Sequence, residues 1–295
     1  MQIGIFLPTF GPGNDPEFLR VLAETAEAVG AASLWAPEHV VLVDAYASAY
    51  PYSDDGRFPL DPSSGGLGDP FTVLAFLAGL TRTIRLGTGI CLVPQRNPVY
   101  TAKLVANLDV LSAGRVDFGV GIGWLAEEFA ALEAPFARRA ARTRAYLEVM
   151  RRLWTEDVAA YESEFYTLPP VRLAPKPVQR PHPPIVFGGE SNAALRRVAD
   201  LGQGWIGWNV TPDVAAERIE ALGRLLDERG RRRADVSLTV SPYLQPTRDL
   251  DAMKRYRDAG VEQVVLLLPL TEKPDEVRAA LEWLGDEIVS KASRL

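Results

Sequence analysis

The residue type best suited to proton chemistry occurs only twice in this sequence, at His39 and His182. An imidazole exchanges protons near neutral pH more readily than any other side chain. His39 ends the short segment SLWAPEH and precedes a long polar loop, whereas His182 lies in the proline-rich connector PVQRPHPPIV. We therefore expect His39 to be a catalytic acid or base and His182 to be a surface or packing residue. Glu38 would point to the opposite side of an extended chain, so we expect it to be structural.

Glycines recur in three segments that otherwise have the apolar, β-branched composition of strands: LGTGICLVP, GVGIGW and IVFGGES. Glycine weakens a strand unless a bulge is needed or a ligand or neighbouring group must come close. In the first two segments, a flat ligand and tight internal packing both remain possible explanations. The third precedes a helical pattern that a serine would cap, so it favours an anion site and an ordinary capped turn equally. The candidate binding residues are Gly89, Gly121, Gly123, Gly188, Gly189 and Ser191.

Four further residues fall at the ends of strand-like segments, where they are candidates for a substrate pocket. They are Thr9, Phe10, Trp124 and Trp208. Large aromatic rings commonly line pockets for small organic molecules. Each ring taken alone is more often part of the packing, so the pocket is an expectation that depends on their coming together.

The elements that must position these residues alternate between short β-rich runs and helical patterns, which predicts βαβ units and a parallel sheet. We predict strands at residues 3–7, 33–36, 84–91, 116–120, 185–187, 204–206, 237–240 and 263–268. Eight strands, each followed by a helix, favour a single α/β domain over residues 1–295, a TIM (β/α)8 barrel with its site at the C-terminal strand ends. The alternative, a doubly wound sheet, needs a dinucleotide-binding fingerprint after the first strand, and LPTFGPGNDPEF lacks that spacing.

Two segments interrupt the alternation of strands and helices. Residues 159–184 have the pattern of a β-hairpin followed by a proline-rich stretch, an insertion before the fifth strand. Residues 44–69 form a loop rich in Asp, Ser, Gly, Pro and Tyr. Structureless loops of this length are usually functional or disordered, so we predict that this loop is a lid over the site.

The composition argues against several classes of function. The formal net charge of −6 argues against a nucleic-acid partner. Cys91 is the only cysteine, which rules out an intrachain disulfide and a cysteine-based metal site and suits a cytoplasmic protein. His39 and scattered carboxylates do not make a convincing ligand set for a metal-dependent hydrolase. No apolar run of about 18 residues predicts a membrane span, and no signal-peptide pattern precedes the first strand.

Four blocks, in order along nearly the whole chain, resemble the luciferase-like monooxygenase superfamily: SLWAPEH, LGTGICLVPQRNP, LDVLSAGRVDFGVGIGWLAEEF and FGGESNAALRRVADLGQGWIGW. Their combination is most similar to the branch of probable F420-dependent oxidoreductases. The resemblance implies a homodimeric TIM-barrel enzyme that uses the deazaflavin coenzyme F420. Its reaction would be hydride transfer to or from a small organic substrate, such as an alcohol or ketone, an imine or an activated alkene.

The resemblance also implies roles for individual residues. The cofactor ring would rest on a bulge at the end of the third strand, where the peptide bond between Gly89 and Ile90 would be cis. His39 would match the active-site histidine of the family, and the insertion and the region after the second strand would shape substrate access. Contacts to the phosphate and ribityl groups would fall on Gly121, Gly123, Gly188, Gly189 and Ser191.

Two positions depart from the pattern of FMN-binding members. Ile122 stands where some of them have an arginine, and Ala194 stands where they have a second hydroxyl residue. These departures weaken the case for an FMN phosphate site and are compatible with the deazaflavin branch. The alternatives are a two-component monooxygenase that uses reduced FMN and oxygen with a flavin reductase partner, and a flavin-binding barrel without catalysis.

Overall fold

The computed structural model of the protein describes residues 1–245, 249–269, 271 and 273–295 and contains a closed parallel barrel. The barrel closes because the third strand pairs with the fourth, with Leu86 opposite Val116, and the first strand pairs with the eighth. The TIM barrel predicted from the sequence is confirmed, and the doubly wound alternative is excluded. The barrel strands are Gln2–Phe6, Ser33–Ala36, Arg85–Thr88 with Cys91–Leu92, Val116–Gly121, Ile185–Gly188, Gly204–Trp208, Ser237–Ser241 and Gln263–Leu267.

The third strand differs from its predicted form. We expected one continuous run over residues 84–91, but the strand stops after Thr88 and resumes at Cys91. The interruption falls on Gly89 and Ile90, whose peptide bond is cis, as the resemblance led us to expect. The pairing with the fourth strand accordingly falls into two parts, with Leu86 and Gly87 opposite Val116 and Asp117, and Cys91 and Leu92 opposite Val120 and Gly121.

Helices surround the barrel, and side chains that bind their free N–H groups fix where several of them begin. Asp15, Asp69, Asn97 and Thr211 each accept a hydrogen bond from the first turn of a helix that starts with proline. Both features are typical of helix N-termini. The main helices are Pro16–Ala28, Pro70–Leu80, Pro98–Leu111, Ala126–Ala131, Arg139–Thr155, Asn192–Leu201, Pro212–Asp227, Leu250–Asp258 and Pro274–Leu284.

Trp35 is the largest side chain of a small apolar cluster that is separate from the main core. The cluster contains Trp35, Val186, Ile206 and Val265, with Phe6 and Ile90 packed against it. Its residues come from barrel strands and alternate with residues that pack against the helices, so the cluster fills the barrel interior. A Cβ atom added to Gly87 on the neighbouring strand would lie 2.5 Å from the Trp35 indole.

Both predicted interruptions of the βα pattern are present. The insertion contains the antiparallel strands Ala159–Glu162 and Thr167–Val171, which confirms the predicted hairpin. The loop at residues 44–69 contains one short 3-10 helix, Pro62–Ser64, and one bridge that joins Leu67 to Phe10. Among the residues that the structure describes, none of the helices has the length and apolar character required to cross a membrane.

The packing around Trp35 predicts that Gly87→Ala destabilises the barrel by about 1–3 kcal/mol, because the added methyl group overlaps the indole in a filled interior. Gly79→Ala is the matched control, since a Cβ on this exposed helical glycine meets no atom within 4 Å. We expect the control to be neutral or stabilising by up to ~1 kcal/mol. Urea unfolding curves give both values, and equal stability of the two variants would contradict this description of the interior.

Candidate functional site

A cavity of about 690 Å³ opens at the C-terminal ends of the barrel strands. Its floor includes Phe6 and Ile90, the two residues that pack on the Trp35 cluster. Pockets for cofactors and drug-sized ligands commonly occupy ~300–1,000 Å³, so this cavity has room for a flat tricyclic ring and a small molecule beside it. Its position is where TIM-barrel enzymes carry their active sites.

The structure brings nearly all of the candidate residues to this one cavity. Thr9 is the exception: it is fully buried, its hydroxyl has no hydrogen-bond partner, and it is not among the described residues that line the cavity. Thr9 is therefore buried beneath the residues that line the cavity, where it does not contact a ligand in the cavity. The candidates that line the cavity are Phe10, His39, Gly89, Ile90, Gly121, Gly123, Trp124, Gly188, Gly189, Ser191 and Trp208.

His39 is paired with a buried carboxylate. Its Nδ1 lies 2.9 Å from Oε2 of Glu128, whose side chain has 0% exposure. The same carboxylate accepts hydrogen bonds from the backbone N–H of Val40, at 2.7 Å, and from Nε2 of Gln95, at 3.1 Å. Burial opposes the charge of Glu128, but these contacts outweigh it, so the pKa of Glu128 lies below its ordinary value.

The ionised state of Glu128 decides which nitrogen of His39 is available for chemistry. A carboxylate has no hydrogen to donate, so we assign the hydrogen of the pair to His39 Nδ1. The other ring nitrogen, Nε2, is then the one that can exchange a proton with a ligand in the cavity. A histidine oriented by a buried carboxylate in this way is a common arrangement for general acid–base catalysis.

Sequence reasoning missed Glu128, although a signal was present. Glu128 lies in the segment WLAEEF, which forms the helix Ala126–Ala131. It is three residues after Leu125 and directly before Phe129, both of which are buried. Side chains three residues apart, as Leu125 and Glu128 are, lie on the same side of a helix, so the second of the two adjacent glutamates was the one to expect inside.

Glu38 has the structural role that we expected. Its carboxylate accepts hydrogen bonds from the backbone N–H of Leu92 and from the guanidinium of Arg96, which also binds Asp69 at 2.7 Å. These contacts hold the turn after the third strand against the end of the second. Glu38 therefore keeps the backbone around Ile90 in place, while its neighbour His39 faces a different partner.

The Ile90 side chain accounts for two of the candidate glycines. A Cβ at Gly188 would lie 2.5 Å from Ile90 Cδ1, and a Cβ at Gly121 would overlap the same atom. Gly123 has a φ of +76°, and a Cβ there would lie 2.6 Å from Phe129. Gly121 and Gly188 thus leave room for the Ile90 side chain, and the backbone conformation of Gly123 favours glycine, so a ligand is not needed to explain these residues. Their lining position leaves the cofactor contacts as a proposal.

The strand–turn–helix at residues 185–201 forms one end of the cavity. Ser191 caps the helix Asn192–Leu201 by accepting a hydrogen bond from the N–H of Ala194. Gly189 has a φ of +103°, a backbone conformation that favours glycine. Arg197, on the same helix, also lines the cavity, so this end combines a helix N-terminus with a guanidinium group.

The loop at residues 44–69 covers the cavity with aromatic rings. Tyr50 and Phe58 lie 5.2 Å and 6.1 Å from the ring of Trp124, and Phe58 lies 5.0 Å from His39. Tyr50, Tyr52 and Phe58 all line the cavity. The loop therefore supplies an apolar roof directly above the His39 pair, as a lid would.

Glu127 fastens this loop to the barrel. Its carboxylate accepts hydrogen bonds from Ser48 Oγ, at 2.7 Å, and from the backbone N–H of Ala47, at 2.6 Å. The Ser48 hydroxyl and the Ala47 N–H lower the pKa of Glu127 from its ordinary value to about 2. Adjacent glutamates thus have different tasks: Glu127 binds the loop and Glu128 binds the histidine.

Glu190 makes a second polar contact with the loop, and sequence reasoning did not single it out. Its Oε1 accepts a hydrogen bond from the backbone N–H of Trp208 at 2.6 Å, and its side chain pairs with the Tyr52 hydroxyl. Burial raises the pKa of Glu190, although both contacts act in the opposite direction. Glu190 therefore links the loop to the strand ends beside Ser191.

One expectation drawn from the resemblance finds no counterpart at the cavity. None of the described residues at 159–184 lines it, so the hairpin lies outside the site that we expected it to shape. Within the part of the chain that the structure describes, no three His, Cys, Asp or Glu residues form a group that could hold a metal ion.

A cavity of this size at the C-terminal strand ends of a TIM barrel, with a buried histidine–carboxylate pair at its wall, is typical of an enzyme active site. Residues 1–291 match the model of a family described as luciferase-like monooxygenase. The chain belongs to the luciferase-like monooxygenase family.

Individual relatives differ in the cofactor that they use. An uncharacterised protein of Mycobacterium tuberculosis is 32% identical over 291 residues, covering 98% of this chain and 99% of that protein. The FMNH2-dependent dimethylsulfone monooxygenase of Pseudomonas putida is 34% identical over 131 residues, covering 42% of this chain and 34% of that enzyme. The structure of an F420-dependent secondary alcohol dehydrogenase with an F420–acetone adduct superposes with a TM-score of 0.75 at 18% identity, covering 97% and 98% of the chains. Family membership supports a flavin-type cofactor.

The contacts of Glu127 predict the behaviour of the loop with pH. Because its folded pKa is depressed from 4.5 to about 2, this anchor is complete above pH 4.5 and weakens as the pH falls towards 2. At neutral pH, Glu127→Gln removes the charge and should increase hydrogen exchange at residues 44–58. Glu133→Gln, on an exposed glutamate nearby, is the control. Unchanged exchange in both variants would mean that other contacts hold the loop.

Proposed function

We propose that the protein is an F420-dependent oxidoreductase that transfers a hydride between the coenzyme and a small organic substrate. The substrate would be an alcohol or ketone, an imine or an activated alkene. The observation that carries the proposal is the His39–Glu128 pair at the wall of a cofactor-sized cavity in a luciferase-like barrel. Such a pair supplies the proton that must accompany a hydride when a carbonyl becomes an alcohol.

The residues around the cavity fit a flavin-type cofactor. The volume of about 690 Å³ accommodates the ring, and the buried Nε of Arg197 has no hydrogen-bond partner at the end where a charged side chain of the cofactor would lie. When bound, the cofactor would supply or accept the hydride. Ile90 would support the ring, the loop at residues 44–69 would exclude water, and His39 would donate or accept a proton at Nε2.

The choice of F420 over FMN rests on the resemblance of the four sequence blocks to the F420-dependent branch, and two apolar residues in the cavity are compatible with it. Ile122 and Ala194 both line the cavity, at the positions where the resemblance leads us to expect an arginine and a hydroxyl residue in FMN-binding members. The alternative is a monooxygenase that uses reduced FMN and oxygen with a reductase partner. The partial match to an FMNH2-dependent monooxygenase favours that alternative.

Parallel fluorescence titrations with oxidised F420 and with FMN test the assignment. We expect micromolar binding of F420 and much weaker binding of FMN. Tight binding of FMN alone would support the monooxygenase, which consumes oxygen during turnover. Binding without turnover of ketones, imines and enones would favour a flavin-binding barrel that lacks catalysis.

The histidine–carboxylate pair predicts a graded loss of turnover. His39→Ala removes the proton-exchanging group and should lower kcat by ~10² or more. Glu128→Gln keeps the shape but allows the amide to face the ring either way, and should lower kcat by about tenfold. Steady-state kinetics at saturating cofactor measure both.

His182→Ala is the matched control for these variants, because the other histidine of the chain contacts Trp154 and the backbone of Pro183 away from the cavity. It should retain full kcat. If His39→Ala had the same kcat as His182→Ala, the assigned proton transfer would be wrong.

We propose further that two copies of the chain associate through the helices Pro70–Leu80 and Pro98–Leu111. These neighbouring helices expose Phe76, Tyr100, Leu104 and Leu111, with exposures of 76% for Tyr100 and 65% for Leu111. A group of large exposed apolar side chains commonly marks a protein interface. This exposed apolar surface is therefore suited to the homodimer that the resemblance implies.

Charge placed on this surface should separate the copies. The double variant Tyr100→Glu and Leu104→Glu should sediment as a monomer, because two carboxylates would have to be buried for association. Trp283→Glu changes an equally exposed aromatic residue on another helix, at 61% exposure, and should leave the dimer intact. A monomeric wild-type protein, or loss of association only with Trp283→Glu, would contradict the proposed interface.

A further inference from the structure

Arg197 stands out among the residues of the cavity because its charge has no partner. Its Nε is buried, and no hydrogen bond or salt bridge joins its guanidinium to any residue that the structure describes. Burying an unpaired charge is unfavourable, so proteins rarely keep one without a use. Arg197 lines the cavity, so a ligand there is the partner that its position allows.

The surroundings of Arg197 add positive charge to this end of the cavity. Burial lowers the pKa of Arg197, and the charges of Arg139 and Arg144 lower it further. Arg139 uses its Nε to bind the carbonyl oxygen of Gly123, another lining residue. The protein as a whole carries a formal net charge of −6, so this local excess of guanidinium groups runs against the overall charge.

The nearby acids are already engaged. Asp200, one turn further along the same helix, binds Arg144 at 2.6 Å and Arg229 at 2.5 Å. Glu190, which also lines the cavity, binds the N–H of Trp208 and the hydroxyl of Tyr52. Neither carboxylate contacts Arg197, so the protein itself does not neutralise it.

We propose that Arg197 is the residue that binds the phosphate group of the cofactor. This inference rests on the proposed flavin-type cofactor. It places the charged end of that cofactor at the helix Asn192–Leu201. A guanidinium group forms strong, paired hydrogen bonds with phosphate oxygens, and these are stronger in a partly buried site. Arg197 thereby supplies the positive charge that is absent at Ile122 and a contact to the phosphate that Ala194 cannot make.

Either of two cofactors could bring this phosphate. FMN carries a phosphate monoester, and F420 carries a phosphodiester that continues into an acidic tail. Each has a counterpart without phosphate: riboflavin for FMN, and the ribityl-bearing 8-hydroxy-5-deazaflavin for F420. Comparing each cofactor with its counterpart separates the contribution of the phosphate to binding from that of the ring. The cofactor whose affinity depends on both its phosphate and Arg197 is the one that supplies the phosphate.

The experiment measures dissociation constants of all four compounds for the wild type, Arg197→Gln, Arg197→Lys and the control Arg196→Gln. Arg196 is the exposed neighbour on the same helix. Arg197→Gln should weaken the phosphate-bearing cofactor by ~10- to 100-fold and leave its phosphate-free counterpart unchanged. It should also flatten the dependence of binding on ionic strength. Arg197→Lys should be intermediate, and Arg196→Gln should match the wild type.

Inorganic phosphate, followed by the broadening of its 31P resonance, separates this inference from the proposed function. If the wild type bound neither cofactor but bound phosphate, and Arg197→Gln alone abolished it, Arg197 would remain an anion-binding residue while the proposed cofactor would be wrong. The inference is overturned if Arg197→Gln weakens binding of the phosphate-free compounds as much as binding of the phosphate-bearing cofactors, or if it changes none of the dissociation constants. It is also overturned if the wild type binds none of the four compounds and no inorganic phosphate.

Discussion

The site depends on one buried carboxylate that accepts hydrogen bonds from two separate segments of the chain. Glu128 binds His39 and Val40, which follow the second strand, and Gln95, which follows the third. A fully buried charge is tolerated only when such donors surround it, so the contacts are mutually dependent. Removing the carboxylate would leave the histidine without an orientation and the two strand ends without their common partner.

The cavity around this pair divides into regions of different character. Ile90 and Phe6 give it an apolar floor, and the loop at residues 44–69 gives it an aromatic roof. Among the described lining residues, the acidic and basic side chains are Glu38 and His39, which follow the second strand, and Glu190 and Arg197, which follow the fifth. Such a division suits a ligand with a flat ring and a charged tail, together with a small neutral substrate between ring and roof.

The fold was predictable from the sequence because hydrophobic periodicity and helix caps are local signals. Asp15 before Pro16 is such a cap at the start of the first helix, and the predicted hairpin within 159–184 is present. Gly89 within a β-branched run suggested a bulge, but the cis bond that interrupts the third strand there was foreseen only through the family resemblance. The pattern of β-branched residues continues through it, and periodicity alone predicted an unbroken strand.

Residues of the candidate site could be predicted where they directly follow a strand. They could not be predicted where a side chain's partner comes from a distant part of the chain. His39 followed from its residue type and its place after a strand. Glu128 is 89 residues away from it in the chain, and only the fold brings the two together. Arg197 was equally hidden, since nothing in its local sequence distinguishes it from the exposed Arg196. Thr9 is the opposite case. It was predicted because it follows a strand, but it is buried and is not among the described residues that line the cavity.

The most direct test of this account is an anaerobic single turnover with reduced F420 that carries deuterium at C5. After mixing with the protein and a panel of ketones, imines and enones, the products are analysed for label. We predict deuterium on the carbon that is reduced, and loss of that transfer in His39→Ala. No transfer of label from F420, together with product formation in a parallel aerobic reaction with reduced FMN, would contradict the proposed hydride transfer.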